Sequence, residues 1–161
     1  MSESWPEPAD LALIRLLQLC SGSLPIGAFS FSQGIEWAVS AGWIRDQASL
    51  GDWLSDVAAT NLASVEIPLL ARLYRAVAAG GAPAPDPGCQ WLLASRETSE
   101  LRDEDRQRGR ALATLLVDLD LPRAREWRSN LAACQSAGFA LAAVGWGIPL
   151  PQAALGFAWG W

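Results

Sequence analysis

The sequence predicts an all-α fold: an irregular, single multi-helix domain of about six to eight helices. Three observations predict it. Apolar residues recur at three- and four-residue spacing along most of the chain. Nowhere does a strict two-residue alternation persist, so strands have no support. Glycine and proline fall in clusters that divide the helical stretches at uneven intervals, which argues against a repeat array.

The elements follow in order. Residues 1–9 read as a flexible, proline-containing lead. Asp10 can cap a helix from about Leu11 to Cys20, with Leu13, Leu16, Leu17 and Cys20 spaced for one face. Ser21 to Gly27 is a breaker: Gly22 and Gly27 permit unusual backbone angles and Pro25 fixes its own φ. A second helix starts near Ser30 or Ser32 and runs to about Ser40, carrying Phe31, Ile35 and Val39; Gly42 can stop it. Asp46 or Ser49 opens a third to about Asn61, with Leu50, Trp53, Leu54 and Val57 as its apolar stripe. Glu66 to Ala79 continues the period through Leu69, Leu70, Leu73 and Val77. Pro68 suits a first turn, so a break near Asn61–Val65 or a kink is expected.

Residues 80–88 are a Gly/Pro loop. A short helix begins at Gln90 to Ala94. A long one covers Glu97 to Val117, with Leu101, Leu112, Leu115, Leu116 and Leu119 as its apolar positions through the following turn. After a turn at Asp118–Pro122, a helix is expected from about Arg123 to Val144. Leu150 to Trp161 starts another.

Size and composition restrict the function. The chain of 161 residues fits one domain. It contains no histidine, and its twelve basic residues are all arginine, against seventeen acids. Without histidine there is no Ser-His-Asp system, zincin motif or histidine metal ligand. Without lysine there is no Schiff-base chemistry and no P-loop lysine. A net charge of −5 with no basic tract argues against nucleic-acid binding. The cysteines, Cys20, Cys89 and Cys134, are odd in number and far apart, which fits a reducing compartment better than a disulfide framework. The acidic start lacks the features of a signal peptide. The last 33 positions carry no charge. Their densest part, Leu131 to Trp146, is shorter than the roughly 20 residues needed to span a membrane, so a buried helix is expected.

Two polar constellations stand out. Ser30, Ser32, Gln33 and Glu36 straddle a helix start, where amides can hold an anion or a partner carboxylate. The same segment also reads as a tight interhelical bend, with Phe29 and Phe31 in the core. The second runs from Ser95 to Ala111, the most charged part of the chain. Acids dominate its first half and arginines its second, as the helix dipole favours. Glu104 and Arg108 can pair at i,i+4. Glu97, Glu100 and Glu104 share a face, which leaves a small helical carboxylate hydrolase with a bound metal as an alternative function. A solvated helix laced with weak ion pairs explains the same spacing. Arg96 and Arg102 suit bidentate contacts to a carboxylate or phosphate. Trp37, Trp43 and Trp53 are expected in the core, while an end reading Leu-Gly-Phe-Ala-Trp-Gly-Trp needs covering by something.

These two stretches carry a family resemblance. Leu-Pro-Ile-Gly-Ala-Phe-Ser-Phe-Ser-Gln-Gly-Ile-Glu-Trp-Ala-Val (residues 24–39), with Gly42-Trp43 after it, closely resembles the urease accessory protein UreF family. Arg96-Glu97-Thr98, Glu100-Leu101-Arg102 and Gln107 to Gly109 look like the family's second signature, in the right order and at the right separation. The resemblance covers essentially the whole chain. It implies an all-helical, cytoplasmic protein that is not an enzyme and holds no cofactor or metal of its own. Such proteins act as chaperones of nickel insertion: they dimerise and bridge UreD (also called UreH) and the GTPase UreG. The complex acts on apo-urease, where lysine carbamylation and insertion of two nickel ions activate the enzyme. Family members have been likened to GTPase-activating proteins. The resemblance makes Gln33, Glu36, Arg96, Glu97 and Arg102 the candidate partner contacts, and Gly22, Pro25, Gly27, Phe31 and Trp37 structural. It implies contacts with neither nucleic acid nor membrane. Family chains continue past the position of Trp161, so this end reads as truncated.

Overall fold

The computed structural model describes residues 8–27, 34–82, 87–96 and 98–161. All regular elements among them are helical. The helices are α1 (Pro8–Leu19), α2 (Ile35–Ser40), α3 (Gln47–Val57), α4 (Ile67–Ala78), α5 (Pro87–Ser95), α6 (Ser99–Asp118), α7 (Arg128–Leu131), α8 (Gln135–Gly145) and α9 (Leu150–Trp159). A π-helical segment, Ala58–Glu66, joins α3 to α4. With that rod counted once, eight helices make up the described residues, in line with the all-α reading.

Helix α8 forms the axis. Every residue from Ser136 to Ala143 is buried, and α4 and α6 pack against it from two sides. A helix apolar all round belongs inside a core, which accounts for the first part of the uncharged tail. Helix α9 accounts for the later part: it lies on α4, α8 and α1, with Phe157 meeting Phe139 edge-on at 5.2 Å. No helix among the described residues is long and apolar enough to cross a membrane.

Helix α4 behaves as its spacing predicts. Leu69, Leu70, Leu73 and Val77 are all buried, each contributing about 1.5–3 kcal/mol. The Tyr74 hydroxyl donates to the Ile148 carbonyl at 3.0 Å and ties α4 to the α8–α9 turn. Gly42, at φ 74°, ends α2 as expected.

Four expectations need correction. The break near Asn61–Val65 does not occur. The Ile67 amide instead reaches back five residues to the Leu62 carbonyl, and Ser64 Oγ donates to the Ala59 carbonyl at 2.6 Å. Pro68 has no amide to give, and widening the turn before it keeps the rod continuous.

The expected Arg123–Val144 helix is divided. Arg123 itself has φ 67°, outside the helical region, and Cys134 is extended at φ −160°, ψ 158°. Only α7 and α8 are helical within it. The corner is forced by a close approach at Gly109 of α6. A Cβ there would sit 3.0 Å from the Ala132 carbonyl oxygen and the Cys134 carbonyl carbon. Backbone atoms cannot swing aside as a side chain can. Gly109→Ala is therefore expected to cost roughly 1–3 kcal/mol, read as a lower midpoint in urea unfolding followed by circular dichroism.

The buried stripe of α1 is also rotated. Ala12 and Leu19 are buried and Leu16 and Cys20 half-buried, whereas Leu13 and Leu17 are exposed. Gly156 of α9 sets this: a Cβ there would lie 2.5 Å from Leu16 Cδ1 and 2.7 Å from Cys20 Sγ, so α1 docks through those two residues.

Finally, Trp37 and Trp43 are not core residues; they are 59% and 60% exposed. They stack edge-on at 4.8 Å, with Trp53 next in line at 5.9 Å from Trp43. The cluster braces α2 against α3 on the surface.

The start of α3 is set by a capping box. Asp46 Oδ1 accepts from the Ser49 amide at 2.8 Å, and Ser49 Oγ accepts from the Asp46 amide at 3.0 Å. The Ser49 hydrogen bonds hold the Asp46 carboxyl below its ordinary 3.8. A depressed acid stabilises the fold above its unfolded pKa and loses that contribution as pH falls through the folded value. Helix α3 is thus expected to gain this cap fully above pH 3.8 and lose it below. Asp46→Asn should flatten that part of an acid titration followed by Trp53 fluorescence.

Candidate partner-contact site

The second signature stretch begins where α5 gives way to α6. Thr98 caps α6, its Oγ1 accepting from the Leu101 amide at 3.2 Å. Arg96, in the connection just before it, is the centre of a buried polar network. Its Nε donates to Asp105 Oδ2 at 2.7 Å, and its Nη2 donates to Glu66 Oε1 at 2.5 Å. Trp161 Nε1 donates to the same Glu66 oxygen at 3.0 Å. Arg102 Nη1 donates to the Arg96 carbonyl at 2.7 Å.

Four parts of the chain meet here: the π segment through Glu66, the α5–α6 connection, α6, and the residue beyond α9. The guanidinium is only 11% exposed, and its two carboxylate partners are 6% and 12% exposed at their side chains. Burial works against the Arg96 charge. The Asp105 hydrogen bond and the Glu66 and Asp105 charges outweigh it and hold the group above its ordinary pKa. A forked cation between two carboxylates suits arginine and not lysine.

One turn further along α6 lies a second buried pair. Arg108 Nη1 donates to Glu104 Oε1 at 3.3 Å, with both side chains 7% exposed. Burial raises the Glu104 pKa, and the Arg108 charge offsets part of that. Arg108 Nε is buried with no hydrogen-bond partner among the described residues.

The solvated-helix reading of α6 therefore holds for one side only. Glu104, Asp105 and Arg108 face inward, while Glu100, Asp103, Arg106, Gln107 and Arg110 are exposed. Asp103 and Arg106 make the weak surface pair expected of a solvated face, at 2.9 Å.

Of the sequence-chosen residues, Arg96 and Arg102 are brought together. Arg96 is committed to its two carboxylates, so it shapes the surface from beneath. Glu36 is exposed on α2. Gln33, Glu97 and Phe31 lie outside the described residues, as do Ser30 and Ser32. Gly22 and Pro25 sit in exposed turns, and Gly27 adopts φ 78° with the Gln107 amide 3.9 Å from where a Cβ would be. The first signature's breaker thus abuts the second signature's helix.

Of the proposed carboxylate row, Glu97 lies outside the described residues and the other two part company. Glu104 turns inward to Arg108 and Glu100 stays at the surface beside Ser99. No group of three or more metal-binding side chains is found among the described residues. Sequence reasoning missed the roles of Asp105 and Trp161, whose partners lie nine and 95 residues away.

With this geometry in view, likeness to known proteins decides the family. The UreF family profile matches residues 44–161. The urease accessory protein UreF of Pseudomonas putida is 51% identical over 153 residues, covering 95% of this chain and 68% of that protein. The chain belongs to the UreF family. UreF proteins of Alkalilimnicola ehrlichii (50% identical; 94% of this chain, 66% of that protein) and Escherichia coli (46%; 96% and 69%) agree. The chain thus spans about two thirds of the length of these UreF relatives. The match covers both α6 and the uncharged helices α8 and α9, so the Arg96 network and the buried axis lie within the part of the chain that matches the family.

Proposed function

We propose that this protein serves urease maturation as a contact scaffold. It bridges UreD (UreH) and the GTPase UreG, modulating GTP hydrolysis or nickel transfer as apo-urease is loaded. The observation that carries this reading is membership of the UreF family, with the profile covering the second signature stretch and the Pseudomonas putida relative aligning over 95% of the chain. In this reading the protein performs no catalysis and retains no nickel. It works in the cytoplasm as a homodimer, and nickel is cargo that passes to urease.

The contact surface centres on Gln33, Glu36, Glu97 and Arg102, with Arg96 positioning the start of α6 from below. If stimulation of the GTPase uses an arginine directly, exposure favours Arg106 and Arg110 over the buried Arg108. The test is co-purification with UreD and UreG after charge reversal at Glu97 and Arg102. Weakening of the complex by tenfold or more is expected, with circular dichroism showing the helical fold retained and the Glu97 reversal alone separating lost contact from the lost Arg102 hydrogen bond. An unaltered complex and unaltered urease activation would remove these residues from the contact surface. Stoichiometric metal tightly bound to the isolated protein would favour the hydrolase alternative instead.

A further inference from the structure

We propose that Cys89 and Cys134 form a reversible disulfide clamp when the protein meets a small two-electron oxidant such as a peroxide. Cys89 lies on α5 and Cys134 caps the start of α8. Their Sγ atoms are 2.6 Å apart across that junction. Two sulfurs in ordinary contact stay farther apart than this, and a covalent bond needs about 2.05 Å. Once one sulfur is oxidised, the two sulfurs need to close by only about half an ångström to reach bonding length.

Both residues are almost fully buried, at 1% and 0% exposure, and neither is joined to another cysteine. Cys20, the third cysteine, is half-buried where α1 meets α9. The chemistry balances with the oxidant named. One thiol and hydrogen peroxide give a sulfenic acid and water. The second thiol then attacks the sulfenic sulfur, expelling a second water and closing the S–S bond. Reductant returns the two thiols by exchange.

Burial also sets the speed. The hydrogen bond shared with Cys89, then burial itself, hold the Cys134 thiol well above its ordinary pKa. The reactive thiolate is scarce while α5 stays seated, so oxidation proceeds through brief opening of α5.

The consequence follows from what the loop encloses. Residues 89–134 contain Arg96 and all of α6, including the Gly109 corner. The clamp would fasten α5 to the base of α8 and fix the α5–α6 connection that carries the Arg96 network. In a reducing compartment the pair stays open, as the cysteine pattern suggests.

The experiment uses the full chain, purified under reductant, then treated with hydrogen peroxide. Thiols are counted after denaturation, and disulfides are mapped by mass spectrometry of an unreduced digest. Thiols are expected to fall from three to one, with a Cys89–Cys134 linked peptide and a single-chain band on non-reducing denaturing electrophoresis. In Cys20→Ser they should fall from two to none, and dithiothreitol should restore both counts. The melting temperature should rise by roughly 5–10 °C on oxidation. Loss of the Cys20 thiol alone, an intermolecular pairing, or oxygen adducts on Cys89 or Cys134 in place of the linked peptide would each overturn the proposal.

Discussion

Replacing Arg96 with alanine is expected to destabilise the protein by about 3–5 kcal/mol. The cost comes from what remains. Glu66 and Asp105 would stay buried with no cation between them, and Trp161 would be left anchored to an uncompensated carboxylate. Arg96→Lys should recover only part of this, because one ammonium cannot present the two forked contacts that Arg96 makes. Urea unfolding at neutral pH measures both. The pairing of Arg96 with Glu66 can be isolated by a double-mutant cycle with Glu66→Gln. If Arg96→Ala lowers stability by less than about 1 kcal/mol, well under the cost of stranding buried carboxylates, the network does not organise the α5–α6 connection as described.

Phe139→Ala carries an expected cost of similar size, about 3–5 kcal/mol. Phe139 is 2% exposed at the middle of α8, and its ring meets Phe157 of α9 edge-on at 5.2 Å and 87°. Truncation removes the transfer free energy of the ring, leaves a cavity and strips α9 of its main aromatic contact. Since α9 also carries α1 through Gly156, the two helices should loosen together. Amide hydrogen exchange should show faster exchange in α1 and α9 than in α4. Uniform acceleration across all helices would mean that α9 is not a separable layer.

The helical class and most elements were legible because they depend on local spacing. Leu69, Leu70, Leu73 and Val77 form a stripe that any helix must bury. What escaped depends on contacts between distant parts of the chain. The rotation of α1 is decided by Gly156, and the corner between α7 and α8 by Gly109. Neither glycine announces its neighbour in the sequence. The exposure of Trp37 and Trp43 escaped for the opposite reason: large aromatic side chains are buried so often that nothing local signals the exception.

The candidate site divides in the same way. Arg96 and Arg102 were found through a signature stretch, and the structure links them through the Arg96 carbonyl. The charge pattern of α6 did not reveal which side faces inward. Glu104, Asp105 and Arg108 are buried beside residues that read as one solvated ribbon. A buried ion pair resembles a surface pair in sequence, because the i,i+4 spacing is shared. Trp161 looked like an awkward end, yet its indole hydrogen-bonds into the network, while Trp159 two residues before it is 85% exposed.

The most direct test of the scaffold role is the nickel content of urease matured in cells with and without this protein, alongside UreD, UreG and the urease subunits. Nickel is measured by mass spectrometry of the purified enzyme and compared with its activity. Urease is expected to stay largely nickel-free and inactive when this protein is absent, and to regain nickel and activity when it is supplied. Equal nickel loading and equal activity in its absence would contradict it.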